Sequence, residues 1–221
     1  TQTFSYSMSD TGGKTTNVFG RLYMPNDGRL SNLPVFAFAP GTTGIDDQCA
    51  ASLEKPAQRN WANYPSLLAA YAAQGYAVVT TDYEGMRDPT RMHHYMVGEL
   101  EGRALLDGVR SLQGLPASKG KVDTSRIFLA GYSQGGHAAL WADRIATKYT
   151  PELTVKGVVG FGPVTDVRRT VSDIASGANL IWFAPYVLHS YADWYGDTYD
   201  LSRYLMPPFS TSIKSDIAAH C

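Results

Sequence analysis

The sequence predicts an α/β protein built on a mostly parallel sheet with helices on both faces. Three observations carry that reading. Short apolar runs have the length of buried strands, amphipathic segments at helical spacing lie between them, and a glycine-framed serine marks one strand-to-helix junction. The alternation holds through the first three quarters of the chain, as parallel strands joined by helical crossovers require.

In chain order, Phe4 to Met8 and Val18 to Met24 read as a pair of strands joined through the turn-forming Thr11-Gly12-Gly13. Pro34 to Ala39 is continuously apolar and stops at Pro40-Gly41, as expected of a strand buried on both faces. Asn63 offers a helix cap with Pro65 in the first turn, and Leu67, Leu68, Tyr71 and Ala72 form a stripe that Gly75 ends. A second buried strand follows at Tyr76 to Thr81. Between Val97 and Leu115 the residues Val97, Leu100, Ala104, Leu105, Val109 and Leu112 recur at helical spacing. Glu99/Arg103 and Arg103/Asp107 lie four apart, expected on the wet face. Arg126 to Gly131 is the next strand, Gln134 to Tyr149 the next helix, and Thr154 to Phe161 a further strand.

Past Gly162 the pattern changes. Leu180 to Tyr186, Tyr191, Trp194, Tyr195, Tyr199 and Tyr204 make an aromatic-rich stretch without strand alternation, which reads as a cap or as ordinary packing helices. The expected division is therefore 1–164 for part of a core and 165–221 for a cap or lid.

With 221 residues, 44% hydrophobic and 18% charged, the chain has the composition of one large globular domain, which excludes disordered and fibrous classes. A net charge of -1 with scattered Lys and Arg gives no footprint for nucleic acid or an anionic membrane. No apolar run reaches the length of a membrane span; Ala178 to Leu188 is broken by Asn179 and Pro185. The chain starts at Thr1, which fits either a removed leader or a trimmed chain. Cys49 and Cys221 read either as one disulfide or as two thiols. Neither has a partner at metal-ligand spacing and His93-His94 lacks the spacing of a helical zinc site, so neither metal nor cofactor is expected.

Gly131-Tyr132-Ser133-Gln134-Gly135 sits between the strand Ile127 to Ala130 and the helix that starts at Gln134. That context predicts the nucleophile elbow of an α/β-hydrolase fold, in which a strained turn exposes the serine hydroxyl and small residues flank it. The Gln134 N–H then lies at a helix N-terminus, where developing negative charge is stabilised. A second oxyanion donor is expected from the loop after the third strand. Pro40-Gly41-Thr42-Thr43-Gly44 occupies that place, with the Thr42 N–H first and Thr43 next in line.

These segments, with Asp47-Gln48-Cys49-Ala50, Gly75 to Val79, Asp82-Tyr83-Glu84-Gly85, Gly98 to Arg103 and Gly131 to Ala139, resemble in order and spacing the secretory lipases related to fungal lipase A enzymes. Pro40 stands where those relatives often have His. The resemblance implies a secreted carboxylic ester hydrolase, and the Tyr, Trp and Phe residues of 178–209, read as lining the acyl or alcohol pocket, favour apolar esters or lipids over charged ones. It also implies a lid after the 154–161 strand and a disulfide, Cys49 to Cys221, tying the oxyanion loop to the end of that lid.

A serine of this kind needs a base and an orienting carboxylate, which follow it in chain order in this fold. No further strand to carry them is evident after Phe161. The acid and the histidine are therefore expected on a C-terminal segment outside these residues, possible as a second chain produced by cleavage near the lid. The rival is a cutinase-like enzyme whose triad is completed here by Asp173 and His189. The residues also leave open a serine peptidase, with Glu99 or Glu101 fixing a peptide terminus, and a catalytically inactive hydrolase-fold protein. His137, one turn after Ser133, is expected to be structural; His93 and His94 read as loop residues; His220 adjoins Cys221; Asp82 and Glu84 are expected to cap turns.

Overall fold

The computed structural model describes residues 1–26, 28, 31–55, 63–177, 183–218 and 221. Residues 178–182 of the aromatic stretch, and His220, lie outside the described residues. Six strands form one sheet: β1 (Gln2–Ser9), β2 (Thr15–Tyr23), β3 (Leu33–Ala39), β4 (Ala77–Thr81), β5 (Val122–Tyr132) and β6 (Val155–Phe161), in the order β1-β2-β4-β3-β5-β6. β1 runs antiparallel to β2 and β2 antiparallel to β4, while β4, β3, β5 and β6 are mutually parallel. This is the α/β-hydrolase architecture the sequence predicts.

Burial explains the order. All five residues of β4 are buried, as a strand covered on both faces demands. β1 and β2 alternate exposed and buried positions, the pattern of an antiparallel edge with one wet face. Helix α1 (Tyr64–Ala73) packs Tyr64, Leu68 and Ala72 onto Phe38, Val78 and Ala130 on one face. Helices α2 (Gly98–Ser111) and α3 (Gln134–Tyr149) cover the other, where Leu100, Leu105, Leu106, Ala139 and Ala142 meet Val35, Val79, Ile127 and Leu129.

Two expectations for α2 meet different fates. Glu99 and Arg103 do pair, at 2.7 Å, but Arg103 and Asp107 do not. Asp107 is buried and binds Arg110 and the Tyr149 hydroxyl, while Arg103 turns to the Ser9 and Asp10 carbonyls. A periodicity places residues on a helix face; it does not know that β1 and α3 cover that face.

Helices α4 (Val167–Ala175), α5 (Ala184–Tyr195) and α6 (Phe209–Ala218) follow the sheet. Tyr186, Val187, Ile213 and Ile217 gather over Ile45, Tyr95 and Met96 in a separate apolar cluster at the carboxyl end of the parallel strands. On the opposite flank, Val159 and Phe161 of edge strand β6 are each 51% exposed. They border a groove of about 290 Å³ that is also lined by Phe36, Tyr71, Tyr76 and Phe128.

Candidate active site

Ser133 is a non-glycine residue at φ 54°, ψ -114°, on the single-residue turn between β5 and α3. A side chain held at such angles costs about 1–3 kcal/mol and persists only where its surroundings over-determine it. Here the two flanking glycines do so. A Cβ on Gly135 would lie 1.8 Å from the Ala39 carbonyl oxygen, and one on Gly131 would lie 2.0 Å from that of Gly135. The Ser133 N–H donates to Phe161 O at 2.9 Å, which pins the turn to β6. The side chain faces an apolar cavity of about 90 Å³ bordered by Tyr95, Met96, Val164, Val171, Phe183 and Val187.

Close packing of α3 on β3 brings the loop after β3 beside this serine. A Cβ on Gly41 would meet the Tyr132 ring at 2.8 Å. Three tyrosines from three different segments hold that loop: the Gly41 N–H donates to the Tyr64 hydroxyl at 2.9 Å, the Tyr83 hydroxyl donates to Pro40 O at 2.5 Å, and Thr42 Oγ1 bonds the Tyr95 hydroxyl at 2.7 Å. Burial pushes the Tyr64 phenol up to about 12 and Tyr83 well above its usual value, so both stay neutral. Among the described residues neither the Thr42 N–H nor the Gln134 N–H meets an acceptor. Two backbone donors at one end of the sheet, beside a serine hydroxyl that borders the cavity, are the parts an acyl transfer needs.

The disulfide is present. Cys49 and Cys221 are bridged with Cα atoms 5.3 Å apart, and Gly44, at φ 116°, leaves room for the sulfur: a Cβ there would lie 2.5 Å from Cys49 Sγ.

Around the site lies a buried polar layer. His93 donates from Nδ1 to Glu84 O at 2.9 Å, so its Nε2 accepts from the Gln134 side-chain amide at 2.8 Å. The same amide donates to Glu101 Oε1 at 2.7 Å, which also receives the Met96 N–H at 3.0 Å. Burial lowers His93 to about 4 and raises Glu101 to about 8. Both are therefore neutral near pH 7, and their 3.9 Å approach is not an ion pair. His94 instead bridges two carboxylates, Glu84 at 2.9 Å and Asp193 of α5 at 3.0 Å.

Several expectations are corrected or extended. His93 and His94 do lie in the loop before α2, but His93 is one of the least exposed side chains. Asp82 and Glu84 do not cap turns. Thr81 Oγ1 takes the Tyr83 N–H, whereas Asp82 accepts the Ser52 N–H at 2.6 Å and its hydroxyl, and Glu84 pairs with Arg91 and His94. His137 donates from Nδ1 to Val164 O at 2.7 Å, a structural bond. Asp173, whose side chain is 70% exposed, lies on α4 beside Arg169; His189 borders a different cavity, with Asp46, Asp47, Thr90 and Arg91. Neither side chain borders the Ser133 cavity. Among the described residues no group of three or more His, Cys, Asp or Glu side chains is arranged to hold a metal ion.

The burial of Glu101 escaped the sequence reading although a signal existed. The residue falls within the buried stripe, four residues after Val97 and four before Leu105, where an unpaired carboxylate does not belong. The three tyrosines offered no such signal.

Fold and turn together define an α/β hydrolase with a serine at its elbow. Its family follows from comparison: residues 64–221 match the secretory lipase model, and the chain belongs to that family. Lipase A of Moesziomyces aphidis is 34% identical over 140 residues, which are 61% of this chain and 26% of that protein. Among solved structures, Candida antarctica lipase A superposes with a TM-score of 0.77 at 22% identity, covering 96% of this chain and 49% of that one. The rice cell wall degrading esterase LipA from Xanthomonas oryzae gives 0.77 at 23% identity, covering 98% and 58%. The chain thus spans about half the length of these structures. No helix among the described residues is long and apolar enough to cross a membrane.

Proposed function

We propose that this chain is the nucleophile-bearing part of a secreted serine carboxylic ester hydrolase acting on apolar acyl esters. The observation that carries the reading is the strained Ser133 at the head of α3, facing an apolar cavity with two unused backbone N–H groups beside it. Ser133 Oγ attacks the ester carbonyl, and the Gln134 and Thr42 amides, with Thr43 next in line, hold the oxyanion. The alcohol leaves with the proton that the base took from the serine, and water then releases the acid. Residues 165–221, which carry α4–α6, act as a lid over the acyl site, the 1–164 portion being core.

The base and its orienting carboxylate we assign to polypeptide beyond these residues. The apolar flank of β5 and β6, exposed at Val159 and Phe161, supports further core elements packing there. Nothing in the structure or the comparisons supports their arriving as a separately cleaved chain.

The test uses the full-length protein. A fluorophosphonate should add one adduct, on the Ser133 peptide, and Ser133→Ala should lower hydrolysis of a p-nitrophenyl acyl ester by on the order of 10⁴-fold or more while leaving the fold intact. Retained turnover would sink the assignment. Faster cleavage of a matched amide would favour a peptidase. Turnover by residues 1–221 alone would return Asp173 and His189 to the triad.

A further inference from the structure

We propose that Glu101 and His93 are positioning residues for the oxyanion hole, acting as a buried brace that fixes Gln134 and, through the segment they anchor, Thr42. The inference rests on the ester hydrolase reading above and adds to it the residues that hold its two donors in place.

The geometry converges from three elements. The Gln134 side-chain amide is shared between Glu101 Oε1 of α2, at 2.7 Å, and His93 Nε2 of the loop before α2, at 2.8 Å. All three side chains are buried. The residue whose backbone N–H is the first oxyanion donor is thus gripped by its own side chain from both sides. Glu101 Oε1 also receives the Met96 N–H at 3.0 Å, and Met96, at φ 63°, adjoins Tyr95, whose hydroxyl meets Thr42 Oγ1 at 2.7 Å. One carboxyl therefore holds the first donor directly and the second through a two-residue span.

The electrostatics fit that task. A negative charge this close to a developing oxyanion would oppose it, but burial holds Glu101 protonated up to about pH 8 and burial holds His93 neutral down to about pH 4. The brace therefore positions without adding charge in that window. Glu101 Oε2, buried and without a partner among the described residues, marks the side of the carboxyl that carries the proton. An amide in the same place keeps the accepting oxygen and the neutral charge. A purely helix-capping role for Glu101 would need only the Met96 contact, leaving the bond to Gln134 unexplained.

The experiment compares kcat and KM of full-length wild type, Glu101→Leu, Glu101→Gln and Gln134→Leu on one p-nitrophenyl ester across pH 6–9.5, with melting followed by circular dichroism. Expected is a fall in kcat of at least about tenfold for Glu101→Leu and Gln134→Leu with KM changed less than about twofold. Glu101→Gln should recover most of that loss and remove the fall in kcat that wild type shows above pH about 8. If Glu101→Leu destabilises the fold, the Glu101→Gln pH profile decides alone. Two results overturn the brace: kcat in Gln134→Leu within twofold of wild type, or the same alkaline fall in Glu101→Gln as in wild type. A wild type that hydrolyses no ester overturns the ester hydrolase reading itself, and the brace with it; an active wild type with insensitive variants overturns the brace alone.

Discussion

The sheet face under α2 and α3 and the segment of α4–α6 both bury apolar side chains, but to different depths. Leu105, Leu106, Ala139 and Ala142 are at most 1% exposed, whereas Tyr186, Val187, Leu188, Ile213 and Ile217 keep between 7% and 9%, and the same segment leaves Met206 and Phe209 largely in solvent. The first region is held by interlocked packing with backbone against backbone. The second is held by one moderate apolar cluster, the Cys49–Cys221 bridge, the His94–Asp193 contact and the hydrogen bonds of Ser190 Oγ to Tyr95 O and of the Tyr191 hydroxyl to Met96 O. Elements that move are drawn from the part of a fold with fewer and shallower apolar contacts, so the contrast supports the lid proposed for α4–α6.

The strongest way to break this contrast is to cut the tether. The bridge closes a span of 172 residues, for which chain entropy assigns about 5 kcal/mol. With both cysteines changed to serine, the tyrosine-rich α5–α6 region should lose its near-ultraviolet signal in an early transition, before the far-ultraviolet signal of the sheet. A single transition, shifted as a whole, would make the two regions one cooperative unit.

The same contrast governs what could be read from the sequence. Helix α3 occupies the predicted span, Gln134–Tyr149, because a local turn starts it and an apolar stripe repeats along it. β3 and β4 fall within a residue of their apolar runs for the same reason. Ser133 was legible because its constraint is local: glycines two residues to either side. The bonds from Tyr64, Tyr83 and Tyr95 to the 40–42 loop span 23, 43 and 53 residues, and those of Gln134 to Glu101 and His93 span 33 and 41. Such pairings depend on how the strands are ordered, which no local pattern encodes. Arg103 and Asp107 fail to pair for that reason too: each takes partners from elements distant in sequence.

The sheet core and the α4–α6 segment should also differ in what a methyl group is worth. Leu105→Ala should cost about 2–5 kcal/mol in urea unfolding, since its surroundings cannot collapse onto the cavity. Val187→Ala, in the shallower cluster beside the Ser133 cavity, should cost about 1 kcal/mol and act mainly on KM. Equal losses would mean that α5 is packed as tightly as the sheet core.

The smallest effect is a pH dependence at the latch. Burial alone would lower His94, but its bonds and charges with Glu84 and Asp193 outweigh that and raise its pKa. Glu84, pushed up by burial, is drawn lower overall by His94 and Arg91, so it stays ionised. Neutral His93 and the Trp194 ring, 5.0 Å away, complete the surroundings of the imidazole. A group whose folded pKa lies above its unfolded value of about 6.5 binds more protons in the folded state. Its contribution is complete below about pH 6.5 and is lost as pH rises through the raised folded value. Since Asp193 lies on α5, the loss should appear as faster amide exchange in α5, corrected for intrinsic rates, rather than as a lower global stability. His94→Phe should show the faster exchange at every pH, and Glu101→Gln should leave the dependence unchanged because Glu101 touches no lid side chain in this network. Exchange in α5 that tracks the sheet amides at all pH values would assign the hold on α5 to contacts other than this latch.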